Sequence, residues 1–106
     1  NTGWVGGGYG IGERISIKDT RKCIDSILNG SILKAKFSND KIFDFEVPLE
    51  LNGVSKEICN PIDSWKDKEL YDNQAKKLAD MFINNYKNYI DPNFTDYSIY
   101  GPKYYK

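Results

Sequence analysis

Histidine is missing from all 106 residues, which excludes a Ser-His-Asp or Cys-His catalytic triad within them. Cysteine occurs only at Cys23 and Cys59, with no CxxC pair and no zinc-ligand spacing. Two cysteines allow one disulfide, but nothing else reads as secreted, so reduced thiols are expected. Net charge is also lacking: 15 basic residues cancel 15 acidic ones. The long-range attraction of a nucleic-acid binder is therefore absent, and no nucleic-acid partner is expected. No apolar run approaches a membrane span and no signal peptide is visible, so no membrane partner is expected. Methionine occurs once, at Met81, so Asn1 is expected to mark a processing or digestion boundary in a larger polypeptide.

Glycine, by contrast, crowds the start, at Gly3, Gly6, Gly7, Gly8, Gly10 and Gly12. Apolar residues make up 40% and aromatic residues 14%, enough for one small domain with a core. A domain of this size is marginal if part of it was made to pack elsewhere.

The pattern along the chain predicts a mixed α/β unit of a few short strands and two helices. Residues 1–13 read as a loop. Residues 14–18 alternate Ile15 and Ile17 with polar neighbours, as a half-buried strand does. Asp19 or Thr20 can cap a helix. That helix would gather Cys23, Ile24, Ile27 and Leu28 on one face and stop at Asn29-Gly30. Residues 32–37 and 41–47 read as two strands, with Ser38-Asn39-Asp40 as a turn and Pro48 as the stop. Residues 49–66 show no period. From about Lys68 to Tyr89 the spacing of Tyr71, Ala75, Leu78, Ala79, Phe82, Ile83 and Tyr86 is helical, reaching to Ile90, with Asp91-Pro92 as terminator. The tail carries Tyr97, Tyr100, Tyr104 and Tyr105 with Lys103 and Lys106.

Few of these features carry chemistry alone. Gly7-x4-Gly12 followed by Glu13-Arg14 is a near miss to a phosphate-cradling P-loop, without its lysine and Ser/Thr and with a strand where the helix should start. It reads equally as a glycine-rich connector. Arg14, one of two arginines, is either a surface residue at a strand edge or a guanidinium aimed at phosphate charge. Thr20 is either a helix cap or a hydroxyl beside a ligand at a helix N-terminus. Asp44 and Glu46, two apart on a strand, read as a solvated face. The tail tyrosines could stack on bases, but packing against a neighbouring domain fits them better.

Taken in order, Asn1-Thr2-Gly3-Trp4, the glycine loop with Tyr9, and the run from Arg14 to Arg21 (Arg-Ile-Ser-Ile-Lys-Asp-Thr-Arg) resemble the ATP-dependent phosphoenolpyruvate carboxykinases. Ile24-Asp25, Ile27 to Gly30, Ile42-Phe43, Glu46 to Pro48, Gly53-Val54, Asn60-Pro61, Ala75 to Ala79 and Gly101 to Lys103 continue the likeness. It covers nearly the whole chain but only the final part of such an enzyme. The resemblance implies that 1–106 is the C-terminal part of a nucleotide-binding domain, with 1–21 the glycine loop and nucleotide-contact strand and 22–106 flanking helices and strands. It implies conversion of oxaloacetate and ATP to phosphoenolpyruvate, CO2 and ADP with Mg2+ and Mn2+, by a cytoplasmic enzyme of gluconeogenesis or fermentative carbon metabolism. Arg14 matches a contact to the nucleotide phosphates, and Ile15 and Thr20 match contacts at the adenine end. The metal ligands, P-loop and oxaloacetate-binding arginine of such enzymes lie upstream, so the remainder of the enzyme is an expected partner and no catalysis is expected here alone. Glu13 stands where the family usually has lysine, and would weaken the field at phosphate unless its side chain points away. The competing expectation is a free-standing, non-enzymatic nucleotide- or protein-binding module of carboxykinase ancestry.

Overall fold

In the computed structural model, which describes residues 2–103, the chain is mixed α/β: two small antiparallel two-stranded sheets and three helices. The first sheet is a ribbon of β1 (Trp4–Val5) and β2 (Glu13–Arg14), pairing Trp4 with Arg14 and Val5 with Glu13. The stretch read as loop over 1–13 thus contains one strand and the start of another, with Asn1 outside the described residues. The strand expected over 14–18 does not extend past Arg14, because Ser16 caps the next helix. Its Oγ accepts the Asp19 N–H at 3.0 Å and donates to the Asp19 carboxylate at 3.0 Å. Ser16 is thus the N-cap, and the Asp19 carboxylate holds its hydroxyl in place. This cap starts α1 (Ile17–Leu28) earlier than a cap at Asp19 or Thr20 would, taking Ile17 and Lys18 into the helix. The helix ends at Asn29, and Gly30 follows with φ of 80°, the left-handed conformation common just after a helix.

The second sheet pairs β3 (Phe37–Asn39) with β4 (Glu46–Pro48). Both strands lie later than the alternation suggested. Residues 31–34 form a 3₁₀ turn instead of strand. The Asp40 carboxylate accepts the N–H groups of Ile42 and Phe43 at 2.9 and 2.8 Å, folding 40–45 into a loop. Such side-chain-to-backbone bonds compete directly with a strand ladder. Asp44 sits in that loop at φ of 56° and accepts from the Asn39 amide at 3.1 Å. It therefore shares no strand face with Glu46, although both remain exposed. Within the span that showed no period, 49–66, lie the one-turn helix α2 (Lys56–Cys59) and a 3₁₀ turn over Pro61–Ser64.

Helix α3 (Lys68–Tyr86) starts where the pattern predicts, with the Asp67 carboxylate accepting the N–H groups of Glu69 and Leu70. Its last predicted turn tightens to 3₁₀ over Lys87–Tyr89. Tyr71, Ala75, Ala79 and Tyr86 form its inward face. Trp65 meets Tyr71 edge-on at 5.5 Å, and Phe43 meets Phe82 edge-on at 6.3 Å. Tyr104, Tyr105 and Lys106 lie outside the described residues; Tyr97 and Tyr100 are exposed. Among the described residues, no helix is long and apolar enough to cross a membrane.

The interior is thin. Ile42, Val54 and Ala79 are the buried apolar side chains of the described residues, and no large side chain is fully enclosed. The surface measures 8689 Å², against about 6,100 Å² for a folded monomer of this mass. The radius of gyration is 15.9 Å, against about 13 Å for a compact chain of this length.

Candidate functional site

The glycine loop is a built turn. The Gly8 carbonyl accepts the N–H groups of Ile11 and Gly12 at 3.0 and 2.9 Å. A Cβ at Gly12 would run into the Gly7 carbonyl and come within 2.8 Å of the Val5 carbonyl, so two strands of backbone approach where no side chain fits. Gly6, at φ of 83°, donates its N–H to Ser64 Oγ at 3.0 Å. Ser64 Oγ in turn donates to the Pro61 carbonyl at 2.7 Å. A residue 58 positions downstream therefore fixes the loop's base.

The pairing of β1 with β2 decides where the charges point. Arg14 and its partner Trp4 share one face, and the guanidinium carbon lies 5.4 Å from the indole centroid. A cation–π contact at such an exposed position is worth about 0.5–1 kcal/mol. Tyr9 meets Trp4 edge-on at 6.1 Å. Glu13 and its partner Val5 face the other way, since neighbouring residues on a strand alternate. Both line a groove of about 530 Å³ shared with Ser64, Trp65, Lys66 and Leu70. The Glu13 carboxylate thus lies across the ribbon from the guanidinium.

Ile15 follows β2, half-buried, and extends the ribbon by donating its N–H to the Gly3 carbonyl at 2.8 Å. Thr20 lies in the first turn of α1, also half-buried; its hydroxyl donates to the Ser16 carbonyl at 2.9 Å. It is therefore not the helix cap. Arg14, Ile15 and Thr20 lie on one continuous stretch from the ribbon into α1. Asp19 already answers the positive end of the α1 dipole from within its first turn. The forked guanidinium of Arg14, at the other end of that stretch, carries donors whose spacing matches phosphate oxygens.

Sequence reasoning missed Trp4 as the partner of Arg14 and Ser64 as the anchor of the loop. The Ser16-x-x-Asp19 spacing was visible and would have found the cap.

Acid–base and metal chemistry have little footing here. Cys23 and Cys59 are free and half-buried. Burial first, then Asp19, pushes the Cys23 thiol above its ordinary value. Burial first, then Cys23, does the same at Cys59, against a lowering hydrogen bond with the Leu51 backbone. Both stay protonated and weakly nucleophilic near neutrality. Among the described residues, no three His, Cys, Asp or Glu side chains converge where a metal ion could be held.

A family model described as Phosphoenolpyruvate carboxykinase matches residues 1–57. The chain is 50% identical over 104 residues to the phosphoenolpyruvate carboxykinase (ATP) of Campylobacter jejuni subsp. jejuni serotype O:2, covering 97% of this chain and 20% of that protein. The corresponding protein of Sulfurimonas denitrificans is 49% identical over 104 residues, with the same coverage of 97% and 20%. That of Fusobacterium nucleatum subsp. nucleatum is 44% identical over 104 residues, covering 98% of this chain and 20% of the relative. The chain thus spans about 20% of the length of the curated relatives it matches.

Proposed function

Because the chain belongs to the phosphoenolpyruvate carboxykinase (ATP) family, we propose that it supplies one wall of the ATP site in a larger enzyme, as its C-terminal part. That enzyme converts oxaloacetate and ATP to phosphoenolpyruvate, CO2 and ADP. Loss of the carboxylate as CO2 leaves an enolate, whose oxygen takes the terminal phosphoryl group as ADP departs. In this reading residues 1–21 form the glycine loop and nucleotide-contact strand, and 22–106 flank it. Arg14 contacts the nucleotide phosphates. Ile15 and Thr20 face the adenine end. Mg2+ and Mn2+ would be held by residues outside this chain. The setting is the cytoplasm and the pathway gluconeogenic. The 106 residues alone are not catalytic.

The observation that carries this reading is the ribbon register, which leaves Arg14 exposed on one face with Trp4 and turns Glu13 to the other. A guanidinium on phosphate is worth most where charge builds in the transition state. In a full-length polypeptide containing this segment, Arg14→Ala should lower kcat/KM for ATP by about a hundredfold or more, and Arg14→Lys should recover only part of it. Unchanged kinetics in Arg14→Ala would remove the phosphate role. Phosphoenolpyruvate formation by the isolated 106 residues would remove the claim of catalytic incompleteness.

A further inference from the structure

Helix α1 is folded inside out. At about 100° per residue, Ile17, Ile24 and Leu28 fall within about 40° of one another, and Ser26 lies about 180° from Ile17. The apolar side of the helix should therefore be the buried one. Instead Ser26 is 2% exposed, while Ile17, Ile24 and Leu28 are 65, 48 and 80% exposed. Ser26 is accommodated because its hydroxyl donates to the Lys22 carbonyl at 3.0 Å. Cys23 and Asp19 flank it on the inward side. Ile27, on the same helix, is 61% exposed as well.

We infer that the Ile17–Ile24–Leu28 stripe is the seat of the remaining part of the family polypeptide, which packs its own apolar surface against α1. The assignment rests on the reading that this chain is one part of a larger enzyme. The chain spans 20% of the length of its relatives, so most of the family polypeptide is available as the occupant. The excess of exposed surface, about 2,600 Å² over a compact monomer, exceeds the roughly 800 Å² per partner that a standard interface buries. A partner of large contact area fits this better than a second copy paired along one three-turn helix. The stripe is also continuous with the candidate nucleotide site. Thr20 lies on α1 itself, about 60° round the helix from Ile17, and Arg14 is two residues before its cap. The neighbour seated on α1 is therefore placed to close the cleft whose first wall carries Arg14.

Thiol labelling tests this directly. Leu28→Cys, and separately Ile24→Cys, would be made in a full-length polypeptide in which these 106 residues replace the matching part of one of the relatives named above. Maleimide labelling at the new thiol would be followed by peptide mass. The references are the same protein in urea and the isolated 106-residue chain. Labelling in the folded full-length protein should be slower than in both references by about tenfold or more, as for a core interface position. Equal labelling in the full-length protein and the isolated chain would overturn the proposal. So would labelling of the isolated chain that slows with concentration while the full-length protein stays open, since a second copy would then be the occupant. A carboxykinase assay on the unsubstituted full-length protein separates the two readings. An active enzyme with open thiols sinks the stripe alone, and an inactive one with protected thiols sinks the ATP-site reading alone.

Discussion

Helices α1 and α3 differ in how far they are anchored in the chain that contains them. Helix α3 turns Tyr71, Ala75, Ala79 and Tyr86 inward and meets Trp65 and Phe43 with aromatic edges. Helix α1 turns Cys23 and Ser26 inward and its isoleucines outward. Both have a side-chain N-cap, so each is locally well specified. What differs is how much of the hydrophobic term is collected within these residues: α3 encloses Ala79 and part-buries Tyr71, Ala75 and Tyr86 while Leu70, Leu78, Met81 and Phe82 stay exposed, whereas α1 encloses no apolar side chain. Periodicity therefore shows that a helix has an apolar face, but not which molecule or segment covers it.

The contrast can be broken most sharply at Ala79, which is 0% exposed. Ala79→Asp would bury an uncompensated carboxylate and should cost about 3 kcal/mol or more, abolishing a cooperative urea transition in the 106-residue chain. A retained transition would mean that α3 is not the centre of the packing. The caps come next. Asp67→Ala and Ser16→Ala should each cost about 1 kcal/mol, by loss of the bonds to Glu69, Leu70 and Asp19 respectively. Equal losses in urea midpoint would show that α1 and α3 depend alike on local bonding despite their opposite faces.

A smaller effect should appear only in alkali. Burial, then the carboxylates of Asp40 and Asp72, pushes the Tyr71 phenol above its ordinary value. The folded chain holds that proton more tightly than the unfolded one. Its contribution to stability is complete below the ordinary tyrosine range and is lost as pH rises past about 10. Tyr71→Phe should therefore lose stability less steeply with pH than the parent chain, as read from urea midpoints between neutral and alkaline buffers. The smallest effect belongs to α1. Ile24→Asp should shift the stability of the 106-residue chain by less than about 0.5 kcal/mol, as exposed substitutions do. A large loss there would mean the stripe is already covered within the chain.

Much of α3 was legible because many consecutive turns repeat one signal and Asp67 caps it. The stops at Asn29-Gly30 and Pro48 were legible for equally local reasons. Helix α1 began early because Ser16 and Asp19 outweighed a brief alternation of Ile15 and Ile17. The hairpin slid because one carboxylate, Asp40, bonded its own backbone. Arg14 stood out by residue type. Its pairing with Trp4 across the loop of residues 6–12, and the orientation of Glu13 that follows, depend on strand register that no local pattern encodes.

The bond from the Gly6 N–H to Ser64 Oγ has a consequence for engineering. The glycine loop is not a cassette. Residues 1–21 moved into another protein would bring the spelling of the loop and leave its clasp behind. A transplant that preserves the loop's shape needs both ends of that clasp: the leading strand pair, and the Pro61–Ser64 turn with the helix that carries it.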